Sequence, residues 1–207
     1  MKIEYLGHSC FLITTERGTR LVTDPYTGVG YEMPPVCADY VTCSHFHFDH
    51  GYTDAVRGVK KVLSSSGKFV CDDIAVEGVD SFHDDVRGAK RGKNVIFVFQ
   101  IEGKRICHMG DVGEVPSQEL AAKLGKPDVL LLPVGGTYTI DAAGAMETIR
   151  RVSPKEAVAM HFRCKECTLD IDTEDKLIAL AGSLSERVGS EIPLERQGKI
   201  LIPARKF

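Results

Sequence analysis

No segment of this 207-residue chain carries a long run of one charge, which argues against an extended nucleic-acid-binding surface. The formal net charge is −3, and the most basic stretch, residues 87–93, gathers Arg87, Lys90, Arg91 and Lys93. So short a cluster reads as a solvated loop, and it is compatible with a phosphate-bearing substrate. No stretch of about 18 uncharged apolar residues exists, so nothing is expected to span a membrane. The N-terminus, MKIEYLGHSCFLI, lacks the long apolar core and small-residue cleavage site of a secretory signal. The seven cysteines do not pair off evenly, and several, such as Cys43 and Cys107, lie inside apolar runs. That usage suits small buried thiols in a reducing compartment rather than a disulfide framework. The cytoplasm is therefore the expected location. No linker, repeat or low-complexity segment divides the chain, so one domain over residues 1–207 is expected.

What is present is an ordinary globular composition, 43% hydrophobic and 27% charged, with enough length for a substantial core. Residues 3–6, 10–14 and 20–23 read as short strands punctuated by Gly7, Gly18 and Pro25. Residues 40–43 form another apolar run, and Val62, Leu63, Phe69 and Val70 suggest further strands. Residues 95–101 and 105–109 read as a hairpin about Gly103-Lys104. The second half alternates. A helix over 117–124 lies between Pro116 and Gly125, and a buried strand comes next over 129–132. Asp141 can cap a helix through about Val152, closed by Pro154, before a strand over 157–160. Apolar spacing predicts one helix from Asp172 or Thr173 through Val188, ended by Gly189, and a last strand over 200–202. Sheets inside and helices outside are the economical arrangement.

The segment SHFHFDHG places His45, His47, Asp49 and His50 directly after the strand at 40–43. Ligands in a loop at a strand end can converge on one point. His45 and His47 are two apart, so in extended backbone they leave on the same side and can reach one ion at about 2.0–2.1 Å. Asp49 and His50 come where the chain turns and can face a second ion. Adjacent ions need more ligands. His161 ends the strand at 157–160, Asp111 lies just after the strand at 105–109, and His83 lies in DSFHDD. A bridging carboxylate between two cations is the role that suits Asp111. His108 points opposite to Asp111 by strand alternation and reads as a packed residue.

HFHFDH matches the HxHxDH motif of the metallo-β-lactamase superfamily, and Gly110-Asp111 and the strand-end His161 match its later motifs. The chain resembles that superfamily over nearly its whole length. The segments YLGHSCF, TDPY, HDD, HMGDVG and LPVGG resemble a short subgroup of zinc-dependent hydrolases related to ascorbate-6-phosphate lactonases. The resemblance implies a four-layer αββα sandwich with metals at one edge. It implies one ion on His45, His47 and His83, a second on Asp49, His50 and His161, and Asp111 bridging. It also implies that Asp24, in TDP, orients a ligand histidine.

Two divalent ions, zinc first with manganese and iron also suited to these ligands, would hold a hydroxide able to attack an ester-type bond. A lactone or sugar-phosphate lactone is favoured by the resemblance, a phosphodiester comes next, and an iron-dependent redox protein is the alternative of another class. The partner expected is a small-molecule substrate, with no nucleic acid or membrane, and a homo-oligomer is compatible. Asp49 can carry a proton, and His8, in an exposed turn after the first strand from which it could reach the pocket mouth, is the second catalytic candidate. The Cys164/Cys167 pair reads as ordinary thiols, because no second pair lies at zinc-ribbon spacing. Gly135-Gly136-Thr137-Tyr138 comes after a buried strand, where paired glycines permit close backbone approach.

Overall fold

A computed structural model describes residues 1–206. The chain opens with β1 (Lys2–Gly7), β2 (Cys10–Thr14), β3 (Arg20–Thr23), β4 (Val36–Cys37), β5 (Tyr40–Thr42), β6 (Val56–Arg57) and β7 (Lys61–Leu63). Longer strands come next: β8 (Gly67–Cys71), β9 (Ile74–Phe82), β10 (Lys93–Ile101) and β11 (Lys104–His108). The remainder alternates as α1 (Gln118–Leu124), β12 (Val129–Pro133), α2 (Ala142–Val152), β13 (Glu156–Met160), α3 (Asp175–Ala181), β14 (Ser185–Val188) and β15 (Ile200–Pro203). Two mixed sheets result. One has five strands in the order β1-β2-β3-β5-β7, the other eight in the order β14-β15-β13-β12-β11-β10-β9-β8.

Side-chain alternation builds three layers of apolar contact. Phe97, Phe99 and Ile101 of β10 face the gap between the sheets, against Phe11 and Ile13 of β2 and Leu21 of β3. Their neighbours Ile96 and Val98 face the other way, toward Leu124 of α1 and Ala145 of α2. A strand buried on both faces needs apolar residues at every position, which is why β10, β12 and β13 read as continuous hydrophobic runs. The three α-helices all cover the eight-stranded sheet. The outer face of the five-stranded sheet, with Leu12, Val22 and Val41, is covered instead by loop residues such as Tyr26 and Val29 and by the β4–β6 pair. This is the metallo-β-lactamase sandwich of two mixed sheets with flanking helices.

Two details depart from the sequence-based expectation. The predicted helix over 173–188 is cut short: α3 ends at Ala181, Gly182 takes φ 54°, and residues 185–188 pair in parallel with β15. Glycine at a left-handed position ends the helix, and sheet pairing captures the residues beyond it. The nine-residue β9 is not among the sequence-predicted strands, because Glu77, Gly78 and Asp80 break its apolar pattern. Among the described residues, no helix is long and apolar enough to cross a membrane.

Asp141 caps α2 by accepting a hydrogen bond from the Gly144 amide at 2.8 Å. Asp141→Ala should lower stability by about 1 kcal/mol. Phe97→Ala, which empties a fully buried ring position, should cost about 3–5 kcal/mol. Denaturant titration of both variants checks the ranking; equal losses would mean that the gap between the sheets is not the dominant core.

Candidate metal centre

Each candidate ligand lies just beyond the C-terminal end of a strand: His8 after β1, residues 45–50 after β5, His83 after β9, Asp111 after β11 and His161 after β13. Pairing explains their common location. β1 and β3 are each antiparallel to β2, and β5 runs parallel to β3. β9 and β11 are likewise antiparallel to β10, while β12 and β13 run parallel to β11. Both sheets therefore deliver strand ends to one edge of the sandwich.

The ligand atoms form three overlapping groups, each with all members within 4.8 Å of one another: His45, His47 and His83; His8, Asp49, His50 and His161; and His45, His50 and Asp111. One Asp111 oxygen, Oδ2, lies 3.1 Å from His50 Nε2, 3.4 Å from His83 Nε2 and 3.2 Å from His161 Nε2.

Hydrogen bonds behind the rings set which nitrogen points inward. His50 Nδ1 donates to Asp24 Oδ2 at 2.8 Å, so its Nε2 presents a lone pair to Asp49 and Asp111. The Ser44 hydroxyl donates to the same Asp24 oxygen at 2.6 Å and is left to accept from His45 Nδ1 at 3.0 Å. Asp24 thus orients two ring histidines, one directly and one through Ser44. Its other oxygen accepts the Ser44 amide at 2.7 Å.

Several inward atoms have no partner. His50 Nε2, Asp111 Oδ1 and both ring nitrogens of His161 are buried without a hydrogen bond, as are His8 Nδ1 and His83 Nδ1. A buried unpaired polar atom costs about 1–3 kcal/mol, so such a cluster calls for a cation among them. The donor set of imidazoles and carboxylates fits divalent ions, zinc, manganese and iron included. At His50 burial would lower the pKa, but the facing Asp111 and Asp24 carboxylates hold it well above the usual range, the pull they would exert on any cation placed there. The other resolved ligands favour the metal-binding form. Burial lowers the His45 pKa to about 3 and, reinforced by His161, the His8 pKa to about 4. Burial would raise the Asp111 carboxyl, but His161 and His50 overcome it and hold it well below the usual range. Burial would also raise Asp49; the hydrogen bond from His8 reverses the shift and keeps it low. These states, neutral imidazole and ionised carboxylate, are the ones that bind metal.

The backbone is strained where it carries the site. His8, Asp24 and His161 are non-glycine residues at φ 52°, 40° and 53°. Each such position costs about 1–3 kcal/mol and persists only if its surroundings impose it. Here the His161 amide donates to the His8 carbonyl at 2.9 Å, and the Asp24 amide to the Thr42 carbonyl at 2.8 Å. Gly135 is required because a Cβ there would collide with the His161 carbonyl.

The structure brings His45, His47, Asp49, His50, His83, Asp111 and His161 together with Asp24 behind them. It places His8 deeper than expected: fully buried, with Nε2 3.2 Å from Asp49 Oδ2, rather than at the pocket mouth. His108 stands apart. Its Nε2 donates to the Ser9 carbonyl at 2.8 Å and its Nδ1 accepts the Gly110 amide, so neither nitrogen is free. Three supporting residues escaped the sequence reading. Asn94 accepts the Asp111 amide at 2.9 Å and donates to the Met109 carbonyl at 2.9 Å. Ser44 links Asp24 to His45. Asp84 gathers four backbone amides, those of Val86 and Gly88 on one oxygen and Lys90 and Arg91 on the other, at 2.7–3.0 Å. Burial would raise its pKa, but these donors hold it at about 2. An uncharged polar residue immediately before the apolar run over 95–101 is the only signal that pointed to Asn94.

Residues 2–161 match the family described as the Beta-lactamase superfamily domain. The chain belongs to the metallo-β-lactamase superfamily. Within it, the chain is 31% identical over 195 residues to a UPF0173 metal-dependent hydrolase of Archaeoglobus fulgidus, covering 78% of this chain and 83% of that protein. It therefore belongs to the UPF0173 metal-dependent hydrolase family. A candidate zinc-dependent hydrolase of the same superfamily from Thermotoga maritima superposes with a TM-score of 0.80 at 35% identity, over 98% of this chain and 97% of that one. A diiron β-hydroxylase of Streptomyces venezuelae shares the fold alone, with a TM-score of 0.66 at 13% identity over 99% of this chain and 52% of that one. The superfamily fold thus hosts unlike chemistries, and the reaction must be argued from the site.

If Asp24 orients His50 and His45, Asp24→Ala should weaken metal binding by about 10–100-fold, as loss of such partners commonly does. Chelator competition reads this directly. In the same assay His83→Ala should weaken one ion and spare the other, whereas His108→Ala should leave both. Saturation near two ions per wild-type chain is expected; saturation at one would remove the bridging place of Asp111.

Proposed function

We propose that this protein is a dinuclear metal-dependent hydrolase of small-molecule ester-type bonds. The observation that carries the reading is the convergence on Asp111 of buried histidine nitrogens that have no other partner. His45, His47 and His83 would hold one ion, and Asp49, His50 and His161 the other, with Asp111 between. When bound, such ions acidify water toward neutral pKa and stabilise the negative charge that develops on the attacked group.

The chain's own residues supply the rest. Asp49, at the cavity wall, is held ionised by the His8 Nε2 donor, so its carboxylate can take a proton and return it to a leaving group. His8, fully buried, positions Asp49. Asp24 fixes His50, and through Ser44 it fixes His45. A cavity of about 500 Å³ over the centre, walled by Phe46, Phe48, Tyr138 and Leu169, suits a small molecule. Among ester-type bonds a lactone or sugar-phosphate lactone is preferred, supported by the likeness of YLGHSCF, TDPY and HMGDVG to lactonase relatives.

Protein loaded with zinc, manganese or iron should turn over at least one member of lactone, phosphodiester and thioester panels, and chelation should abolish the activity. Full metal occupancy without turnover of any member would sink the hydrolase reading. Asp49→Asn, with metal in excess and occupancy verified, should lose at least ~100-fold in turnover, the scale of general acid–base catalysis. Substrates with good leaving groups should lose less, since they need less proton help. Wild-type rates on both substrate kinds would reduce Asp49 to a ligand.

A further inference from the structure

The basic segment 87–93 sends one side chain to the metal centre. Arg91 lines the cavity over His83 and Asp111. Lys90, its neighbour, pairs instead with exposed Asp85 at 3.1 Å. The Arg91 guanidinium lies over the Tyr138 ring, 5.4 Å from its centre. Among the described residues no carboxylate forms an ion pair with it, and it is the only Lys or Arg among the cavity's lining residues. The two acids that line the cavity, Asp49 and Asp111, are engaged by histidines.

Its position is fixed from two sides. The loop that carries it is cinched by Asp84, whose carboxylate holds the Arg91 amide at 2.7 Å. Tyr138 extends from the turn after Gly136, whose φ is 64°. A guanidinium fixed in this way offers a rigid fork of donors matched to an oxyanion, and little entropy is lost when it binds. The same cavity also has an apolar lining. Phe46 and Phe48, the variable positions of the histidine motif, are 68% and 55% exposed, and Leu169 lies beside them.

We propose that Arg91, braced by Tyr138, is the specificity-determining residue of this site, and that the substrate is an amphiphilic anion. Its carboxylate or phosphate rests on Arg91, away from the bond that is cut, and its apolar part lies on Phe46, Phe48 and Leu169. The proposal rests on the hydrolytic reading of the metal centre and names the substrate class for it.

Binding tests it without requiring turnover. Zinc-loaded protein of residues 1–207 is titrated calorimetrically with 3-phenylpropionate, phenylphosphonate and neutral 3-phenylpropionamide. Arg91→Ala keeps its backbone amide on Asp84, so the loop survives the change. The variant should lower the anion-to-amide affinity ratio at least about tenfold, the scale of one charged hydrogen bond. Lys90→Ala should preserve the ratio. Whichever of the carboxylate and the phosphonate loses more identifies the acid recognised. An unchanged ratio in Arg91→Ala, or a wild-type protein with no preference for the anions, overturns the proposal. A protein that binds anions through Arg91 yet hydrolyses nothing in the ester panels would leave the subsite standing and remove the hydrolytic reading alone.

Discussion

A single carboxylate oxygen, Asp111 Oδ2, sits within 3.4 Å of imidazole nitrogens from three separate loops. Those loops come from the five-stranded sheet (His50) and from both arms of the eight-stranded sheet (His83 and His161). Lone pairs facing a carboxylate at that distance repel unless positive charge lies between them. Positive charge here, whether metal ions or the proton that the Asp111 and Asp24 carboxylates favour on His50, relieves that repulsion, so a demand for cations is built into the packing. The hydrophobic gap between the sheets, with Phe11, Phe97 and Phe99, brings the loops together; the charges decide what must fill the space.

The strain at His8, Asp24 and His161 arises from the same demand. A strand leaves its sheet in extended backbone, and a ligand must turn back at once to point across the edge. A left-handed residue makes that turn in one step, at a cost of about 1–3 kcal/mol. The amide of His161 on the carbonyl of His8 then joins the ends of β13 and β1, so two strained residues support each other across the two sheets.

The sequence made the centre legible where ligands are close along the chain. His45 through His50 announce themselves by spacing, and His161 and Asp111 by their place just after apolar strands. His83 comes from the family resemblance, with the facing of its rival His108, opposite to Asp111, as support, and the two satisfied ring nitrogens of His108 agree with that facing. The second tier was not legible. Ser44, Asn94 and Asp84 act through hydrogen bonds to atoms that are distant in sequence or belong to the backbone, and side-chain type alone does not reveal them. The burial of His8 was missed for a similar reason: a turn residue reads as exposed until the neighbouring sheet end at His161 covers it. The overlong C-terminal helix has a different cause. Residues 173–188 keep helical apolar spacing past Gly182, but parallel pairing with β15 outweighs that local preference.

The Asp84 clamp separates the course of the loop from the identity of its side chains. Its four bonds go to main-chain amides, so they are indifferent to which side chains the loop carries. Apart from Arg87 and Gly88, whose φ values are 55° and 82°, positions 85–90 tolerate any residue that keeps the amides of 86 and 90, which excludes proline there, and the loop still arrives at residue 91 in the same place. Residue 91 itself can be exchanged without disturbing the hydrogen bond made by its amide. Descendants of this chain can thus trade one recognised acid for another, or for a neutral substrate, by a single substitution that leaves the metal ligands and their supports untouched.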